Sequence, residues 1–567
     1  MLSGTDAVRN REKIWRLPPW TEKAAPWQEL DRTLPADHLA RRIRTLVLSL
    51  DLDELRRSYL GVGKRAFPPE LMVMVVLYEL HRGQLHPVRW AQDCKFADPV
   101  KWLAMGLQPS ASYFYAFRQR LVRYVQCWNQ QLLRRALADG ATEANQGAVD
   151  GTFVAALGSR HRLLQAKTLA ERCQGLRQAL AADARAARGE AAAHALPSGT
   201  AAAGAERCLA ARRWPYWMAQ TVRGRGRQLF GYQQAQERLD VLLAQHAQRE
   251  NRKAKRKRRR ADQVRICPRE PEAALGRDKL KTFRPLYDVQ LVSDVTTPLI
   301  FDYGVYATNT DAGLLIPTLQ KVEQPLGRPL AKVLVDGLYA TAANLGYCDE
   351  HGVTLYAPVA DRVAGERPRA ASAKAKQLGK EHFRWHAAEE TYYCPEGHRL
   401  LQIGCKVERR EQDQQVRVYQ YRCPPQHCQA CHRAAECTQA PHKGRTIKRS
   451  EHEEKVERLR QRMQTPEAQA LYKKRSQSVE PRFGNLKSLR GLLCFAGFGV
   501  ALAMVQVGLL VLVHNGLYLL ARSAVTANGA PPASAHDGSC PSGANAFPAV
   551  HNTEALQPRR SRPHAPT

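Results

Sequence analysis

The chain is short of acidic residues relative to basic ones. Its 567 residues include 53 Asp and Glu against 86 Lys and Arg, which gives a formal net charge of +33 at pH 7 and a pI of about 9.9. So positive a balance favours a polyanionic partner and says little about the fold. We therefore expect nucleic acid as the partner.

Two further absences concern secretion. Fourteen cysteines in a chain of this length lack the density of a small disulfide scaffold, and the first twenty residues, MLSGTDAVRNREKIWRLPPW, contain no apolar core of the signal-peptide type. Both features are typical of the reducing environment inside a cell. We therefore expect a cytoplasmic protein, associated with the nucleoid if nucleic acid is its partner.

Long apolar runs are also scarce. One segment, 491–513, has 23 residues with Gln506 as its only strongly polar side chain, which is long enough to span a bilayer. Its glycines, the polar His514 and Asn515 at its end, and the lack of a second such segment favour a helix buried in a large core. We expect no membrane association, and a membrane anchor remains the alternative.

Helical patterns dominate the first 140 residues. Asp37 precedes the run RRIRTLVLSL as a candidate cap, and Pro68 and Pro69 open the apolar run LMVMVVLYELHR. After Ser110, apolar residues recur at helical spacing as far as Leu132, with arginines distributed around them. Arginines in such a helix suit a phosphate backbone, although charge on an outer helical face is more often solvated.

The segment 163–261 changes composition to Ala, Arg and Gln, which favours helices with flexible joints. It ends in NRKAKRKRRR at 251–260, where eight of ten residues are cationic. Such a run suits counterion release on DNA, and a solvated loop is the alternative. We interpret the segment as a basic helical insertion.

Strand patterns follow the insertion. The β-rich runs 286–295 and 298–307 precede a helix that begins near Asp311, a strand that ends at Asp336, a second helix and a final strand. An earlier apolar run ends at Asp150. The order predicts a mixed α/β layer in which two strands could place their terminal carboxylates side by side, where ligands of such sheets commonly collect.

A third composition change introduces cysteines with the spacing C-x4-C-x2-C-x5-C, and Cys394, Cys405 and several histidines lie nearby. Thiolates and imidazoles at such distances suit a tetrahedral, structural Zn²⁺ that helps a small insertion to fold, and reduced surface cysteines are the alternative. The four spaced cysteines, which are the predicted zinc ligands, are Cys423, Cys428, Cys431 and Cys437.

The segment 472–487, YKKRSQSVEPRFGNLK, places Glu480 in a cationic setting. A carboxylate there either neutralises its neighbours or takes part in metal chemistry on a polyanion. If Glu480 lies on a helix beside Asp150 and Asp336, three hard oxygen donors could hold two Mg²⁺ ions and leave positions open for water and a phosphodiester. A turn-forming Asp or a surface ion pair is the ordinary alternative for each carboxylate taken alone.

Together these motifs resemble those of bacterial insertion-sequence transposases with a DDE catalytic core. The resemblance rests on VDGT around Asp150, the strand pair 286–307 with D-x-G-L-L-x-P after it, VDGLY around Asp336, and R-x4-VEPRFGNLK around Glu480. Residues 30–125 also resemble the helical domain that these enzymes place before the core. The similarity covers most of residues 30–520.

The resemblance implies specific roles. Asp150, Asp336 and Glu480 would be the catalytic, metal-binding triad for Mg²⁺ or Mn²⁺. DNA contacts would come from the cations and the tyrosine around the glutamate, although four residues separate Arg475 from Glu480 where the commonest form of the signature has three. Those DNA-binding residues are Tyr472, Arg475, Arg482 and Lys487.

The implied fold is α/β: an RNase H-like mixed sheet core with helices, interrupted by a helical and a Cys-rich insertion and preceded by an all-α DNA-binding domain. The expected divisions are an N-terminal arm (1–29), the helical domain (30–140), the core in three parts (141–162, 268–362 and 464–522), the helical insertion (163–267), the Cys-rich insertion (363–463) and a disordered tail (523–567).

The implied activity is DNA transposition. Phosphodiester bonds at element ends would be cut and the 3′-hydroxyls joined to target double-stranded DNA, by a homo-oligomer that pairs two ends. Two alternatives remain: a decayed, non-catalytic DNA-binding protein, and a protein anchored to a membrane by residues 491–513.

Overall fold

The computed structural model describes residues 13–59, 63–188, 214–251, 258–278, 281–311, 313–359, 378–409 and 415–527. One compact unit extends to Ala521, and of the unit that starts at Arg522 only the residues up to Ala527 are described. Most of the basic run 251–260 and the predicted disordered tail beyond Ala527 lie outside the described residues.

The N-terminal region folds as a series of helices packed on one another. Their bounds are α1 Ala25–Thr33, α2 Leu39–Leu48, α3 Asp53–Arg57, α4 Pro69–His81, α5 Pro87–Phe96, α6 Asp98–Leu103, α7 Ala111–Leu121 and α8 Val125–Ala138. The apolar run after Pro68 forms α4 as predicted, with a proline in its first turn and nearly every side chain buried.

Two helix predictions needed correction. The cap of α2 is His38, whose ring nitrogen accepts from the Ala40 amide at 3.1 Å, and not Asp37. Ser110 does cap α7, but the helix predicted to continue to Leu132 breaks after α7 and resumes as α8. The apolar residues keep helical spacing across the break, so the pattern does not reveal it.

The helical insertion follows residue 155 and forms a hairpin of two long helices, α9 Ala166–Ala187 and α10 Val222–Asn251. They share a small hydrophobic core of their own, which includes Leu169, Leu176 and Leu239. The Ala- and Gln-rich composition therefore predicted this secondary structure correctly.

A six-stranded sheet lies at the centre of the chain. Its strands are β1 Gln146–Ala155, β2 Ala274–Arg277, β3 Phe283–Asp294, β4 Ile300–Tyr306, β5 Lys332–Leu334 and β6 Thr354–Tyr356. The order is β2-β3-β1-β5-β6, and β4 also pairs with β3. Strand β1 is antiparallel to β3 and parallel to β5, so the sheet is mixed as predicted. Helices α11 Leu315–Leu326 and α12 Ala342–Glu350 connect its later strands.

Alternation along β1 gives the sheet two different faces. The front face carries Ala148 and Thr152, and here the core is shared with the N-terminal helices. The back face carries Val149 and Gly151 and packs on α11, where Leu315 is fully buried. Neighbouring residues of one strand thus belong to different cores.

The Cys-rich insertion contains a second, antiparallel sheet. Its strands are β7 Arg384–His386, β8 Thr391–Tyr393, β9 Arg399–Arg409, β10 Gln415–Arg422 and β11 Thr446–Ser450, in the order β11-β10-β9-β8-β7. Two short helices, α13 Pro425–Gln429 and α14 Ala434–Cys437, lie between β10 and β11. The core of this sheet is small, so it has little apolar mass of its own.

Three helices complete the described chain: α15 Glu453–Gln464, α16 Pro466–Gly484, which continues as a π-helical segment Asn485–Leu489, and α17 Val500–Ala527. Helix α17 starts at Val500, so the apolar run 491–513 is only partly helical. By length and composition α17 could cross a membrane, but 78% of its most apolar window is buried inside the protein. That burial favours a core helix.

Candidate active site

Asp150 and Asp336 lie on neighbouring parallel strands. The register of β1 and β5 pairs Ala148 with Leu334, and each carboxylate lies two residues beyond that pair, on the front face. Asp336 follows its strand and caps a short turn, where its Oδ1 accepts from the Leu338 amide at 2.6 Å. The predicted juxtaposition of the two carboxylates is therefore present.

The position of Asp150 within its strand differs from the prediction. The sequence pattern placed it at a strand end, but β1 continues to Ala155. The reason is β3, which remains paired with β1 over this stretch and opposes Gly151 with Gln290. Asp150 therefore projects from the middle of a long strand whose other neighbour, β5, has already ended.

A guanidinium group occupies one side of Asp150. Arg475 of α16 places its Nη2 3.0 Å from Asp150 Oδ1, and both side chains are largely buried. Burial raises the pKa of Asp150, the Arg475 charge lowers it, and the nearby Asp336 raises it again; the net shift is upward. The cation thus offsets only part of the cost of burying the Asp150 carboxylate.

Tyr472 lies one turn before Arg475 on α16 and is half-buried. Burial is the main cause of its raised pKa, and the charges of Arg475, Asp336 and Asp150 act on it as well. These electrostatic contacts place the Tyr472 side chain close to both carboxylates. Two of the residues predicted around the glutamate are therefore on the side of α16 that faces β1.

Lys487 also reaches the front face of β1. Its ammonium donates to the Thr152 hydroxyl and to the Phe153 carbonyl, the second at 3.4 Å. Thr152 follows Asp150 by two residues and shares its face. Lys487 lies in the π-helical segment, whose wider turn changes the angular position that α-helical spacing would give it relative to Glu480.

Arg482 was predicted to contact DNA, but the structure buries it. Its guanidinium donates to the backbone carbonyls of Asp294 and Thr297, in the turn between β3 and β4, and to Gln477 of its own helix. It therefore fixes α16 to the sheet, and both terminal nitrogens of its guanidinium donate within the protein.

Glu480 is exposed on α16, between the buried Val479 and Arg482. Within the described ranges, no contact joins its carboxylate to Asp150 or Asp336, and no group of three His, Cys, Asp or Glu side chains is arranged to hold a metal ion. The structure thus brings two of the three predicted ligands together and leaves the third on an adjoining helix.

A polar cluster that the sequence patterns did not predict lies behind β1. Gln290 donates to Asp288 Oδ1 at 3.0 Å and to Asp311 Oδ1 at 2.9 Å, and it accepts from the Tyr339 hydroxyl at 2.7 Å. Burial, together with the neighbouring Asp311, raises the pKa of Asp288 to about 8. A signal was present, because Asp288 and Gln290 alternate with apolar residues in the stretch 286–292 of this strand and so share one face.

A glycine makes room for this cluster. A Cβ on Gly151 would collide with the Gln290 amide and the Asp311 carboxylate. Strand β1 therefore carries a carboxylate on its front face and, at the next residue on its back face, a glycine that a larger residue could replace only by displacing these hydrogen-bonded side-chain ends.

One comparison with known proteins bears on this site. Residues 393–519 match the family model described as "Transposase DDE domain". The matched range contains α16 with Tyr472, Arg475 and Glu480, and it excludes Asp150 and Asp336. No curated protein and no solved structure matches the chain. The part of the chain that carries the cysteines and α16 is therefore similar to the DDE domain of transposases.

Proposed function

We propose that the protein is a DNA transposase of the DDE type, which cuts phosphodiester bonds at the ends of an insertion sequence and joins the 3′-hydroxyls to target DNA. The observation that carries this proposal is the ion pair between Arg475 and Asp150. It brings a helix from the segment similar to transposase DDE domains onto the strand edge where Asp150 and Asp336 lie together.

The donor set fits a hard divalent cation such as Mg²⁺ or Mn²⁺. Asp150 and Asp336 offer carboxylate oxygens, and Glu480 would add a third if its side chain turned toward them. When bound, such ions activate a water or a 3′-hydroxyl for in-line attack and stabilise the leaving oxygen.

The site also contains two cationic residues. Arg475 holds Asp150 in place and offsets its repulsion from Asp336. On binding of DNA, the same guanidinium can exchange the carboxylate for a phosphate, because it forms strong bidentate hydrogen bonds with both. Lys487 adds a second cation along β1.

The partner of this site would be double-stranded DNA, both element ends and target. A formal charge of +33 supports strong, salt-sensitive attraction to DNA. Pairing two element ends requires at least two copies of the chain, so we also propose a homo-oligomer. A non-catalytic DNA-binding protein is the second candidate, because no described contact places Glu480 at the carboxylate pair.

A cleavage assay separates the two candidates. The purified chain is incubated with DNA that carries the ends flanking its own gene, with Mg²⁺ or with EDTA, beside Asp336→Asn. Asparagine keeps an oxygen for the Leu338 amide and removes the ligand charge. The matched control is Asp349→Asn, which alters an exposed carboxylate paired with Arg458 on the surface.

Mg²⁺-dependent nicks at the ends, lost in Asp336→Asn and kept in Asp349→Asn, are expected. DNA binding without nicks in the unaltered chain would support the non-catalytic candidate. Full cleavage by Asp336→Asn would remove that residue from the site.

A further inference from the structure

Five cysteines from separate segments line one small cavity in the Cys-rich insertion. Cys394 lies in the turn between β8 and β9, Cys423 follows β10, Cys428 is in α13, and Cys431 and Cys437 lie before and at the end of α14. The cavity volume is about 30 Å³. A cavity needs roughly 10–15 Å³ on this measure to hold a water molecule, so the space has room for a small ion.

All five thiols are shielded from solvent at least in part. The Cys423 and Cys428 side chains are buried, and those of Cys394, Cys431 and Cys437 are partly buried. Cys394 lies 29 residues before Cys423 and outside the C-x4-C-x2-C-x5-C run, yet it lines the same cavity.

Backbone amides already point at two of the sulfur atoms. The Arg445 amide donates to Cys428 Sγ at 3.4 Å, and the His398 amide donates to Cys394 Sγ at 3.3 Å. The second of these requires the tight turn at Gly397, whose φ of +81° favours glycine. Hydrogen bonds of this kind orient metal-bound thiolates and stabilise their charge.

We propose that this cavity is a structural Zn²⁺ site in which Cys394, Cys423 and Cys428 are three ligands and Cys431 or Cys437 is the fourth. Tetrahedral coordination by four cysteine thiolates is a common structural zinc arrangement. The set differs from the one predicted from spacing, because Cys394 takes the place of one cysteine of the C-terminal run.

The side chains require a small adjustment to bind the ion. The described thiols surround the cavity but are not drawn together as a finished metal site. Rotation about the single χ1 bond of each cysteine can bring them in, since all five already line the same space. The ion would then tie the β8–β9 turn to α13 and α14.

Metal binding in this cavity would also affect other parts of the molecule. The core of the second sheet is small, and β11 leads directly into α15 through the buried Arg449, which pairs with Glu457 at 2.7 Å. Helix α15 in turn precedes α16, which carries Arg475. A metal that stabilises the sheet would therefore support the position of α16.

Metal content of the full-length chain tests the proposal without any activity measurement. Elemental analysis of the purified protein should find about one zinc per chain. Cys394→Ser should lose that zinc. Cys405→Ser is the matched control, because Cys405 is an exposed cysteine of the same sheet that does not line the cavity.

Cobalt provides the second measurement, because it keeps the test decisive if a serine variant folds poorly. The unaltered chain, stripped of metal and given Co²⁺ alone, should show thiolate-to-cobalt charge-transfer bands and the intense visible bands of tetrahedral Co²⁺. Replacing Cys431 and Cys437 one at a time should abolish these bands in one case and spare them in the other.

Two outcomes would overturn the proposal. A zinc-free protein that also gives no thiolate bands with Co²⁺ would show that the cavity is not a metal site. Zinc content and cobalt spectra in Cys394→Ser identical to those of the unaltered chain would remove Cys394 from the ligand set.

Discussion

A pair of carboxyl groups lies on each side of β1, and the two pairs differ in their electrostatic surroundings. On the front face, Asp150 and Asp336 are half-buried, and Arg475 provides a cation for one of them. On the back face, Asp288 is fully buried, and its neighbours are a second carboxyl group, Asp311, and an amide. Burial raises the pKa of both Asp150 and Asp288, but Arg475 opposes the rise at Asp150, whereas Asp311 adds to it at Asp288, whose pKa reaches about 8.

This difference assigns different tasks to chemically identical groups. The accessible pair of carboxyl groups can bind cations, which is what the proposed function requires. The buried Asp288 instead accepts a hydrogen bond from Gln290, which also donates to Asp311 and so joins β3 to the loop before α11. The proposed metal-dependent chemistry would therefore take place on the front face, and the hydrogen bonds of the back face help to hold β1 in position.

The largest expected effect on stability comes from a substitution at Gly151, on the back face of β1. Gly151→Ala would push a methyl group into the Gln290 amide and the Asp311 carboxylate. Because these atoms are side-chain ends that can move aside, the main cost is the loss of the buried Gln290 hydrogen bonds, about 1–3 kcal/mol. We expect a clearly lower midpoint in urea-induced unfolding followed by circular dichroism.

The control for this change is Gly404→Ala in β9, because no atom lies within 4 Å of the Cβ position there. That variant should unfold at nearly the urea concentration of the unaltered chain. Equal midpoints for Gly151→Ala and the unaltered chain would mean that the polar cluster behind β1 rearranges without loss of stability and does not hold β1 in position.

A smaller effect, which depends on pH, should follow from Asp288→Asn. The folded-state pKa of Asp288 is raised from 3.8 to about 8, so the folded protein binds a proton that the unfolded chain releases. Its contribution to stability is therefore complete below about pH 4 and declines as the pH rises through about 8. Asparagine cannot ionise, so the variant should lack this decline.

The measurement is the thermal unfolding midpoint between pH 5 and pH 9. The difference between Asp288→Asn and the unaltered chain should move in favour of the variant as the pH rises. Asp349→Asn, on an exposed carboxylate, should run parallel to the unaltered chain at every pH. Parallel curves for Asp288→Asn would show that Asp288 is already ionised in the folded protein.

The sequence predicted those parts of the site that depend on local order. Strands β3 to β6 and their helices followed from alternation and turn residues, and this order placed Asp336 at the end of a strand near Asp150. A strand end is a local feature, since the apolar run and the turn residue are adjacent in sequence. The two-residue alternation of β3 likewise indicates on which face of the strand Asp288 lies.

Contacts between distant segments could not be predicted in the same way. Helical spacing indicates which residues of α16 share a face, but not that Arg475 would meet Asp150 or that Arg482 would be buried. Cysteine spacing likewise favoured ligands close in sequence, whereas Cys394, from a distant segment, lines the same cavity. In each case the partner is fixed by how whole elements pack, which a local pattern does not encode.

The smallest expected change in stability is at Glu480, and it tests whether the front face is specialised for chemistry. Glu480 is exposed on α16, so Glu480→Gln should alter the unfolding free energy by less than about 0.5 kcal/mol. If Glu480 is the third metal ligand, the same change should abolish Mg²⁺-dependent cleavage while DNA binding persists, because the amide removes ligand charge and keeps the shape.

The control is Glu467→Gln, which alters an exposed residue in the first turn of the same helix and should keep both cleavage and DNA binding. Cleavage by Glu480→Gln at the rate of Glu467→Gln would leave Asp150 and Asp336 as a pair without a third ligand on α16, and the site would then have to draw that ligand from elsewhere on the front face.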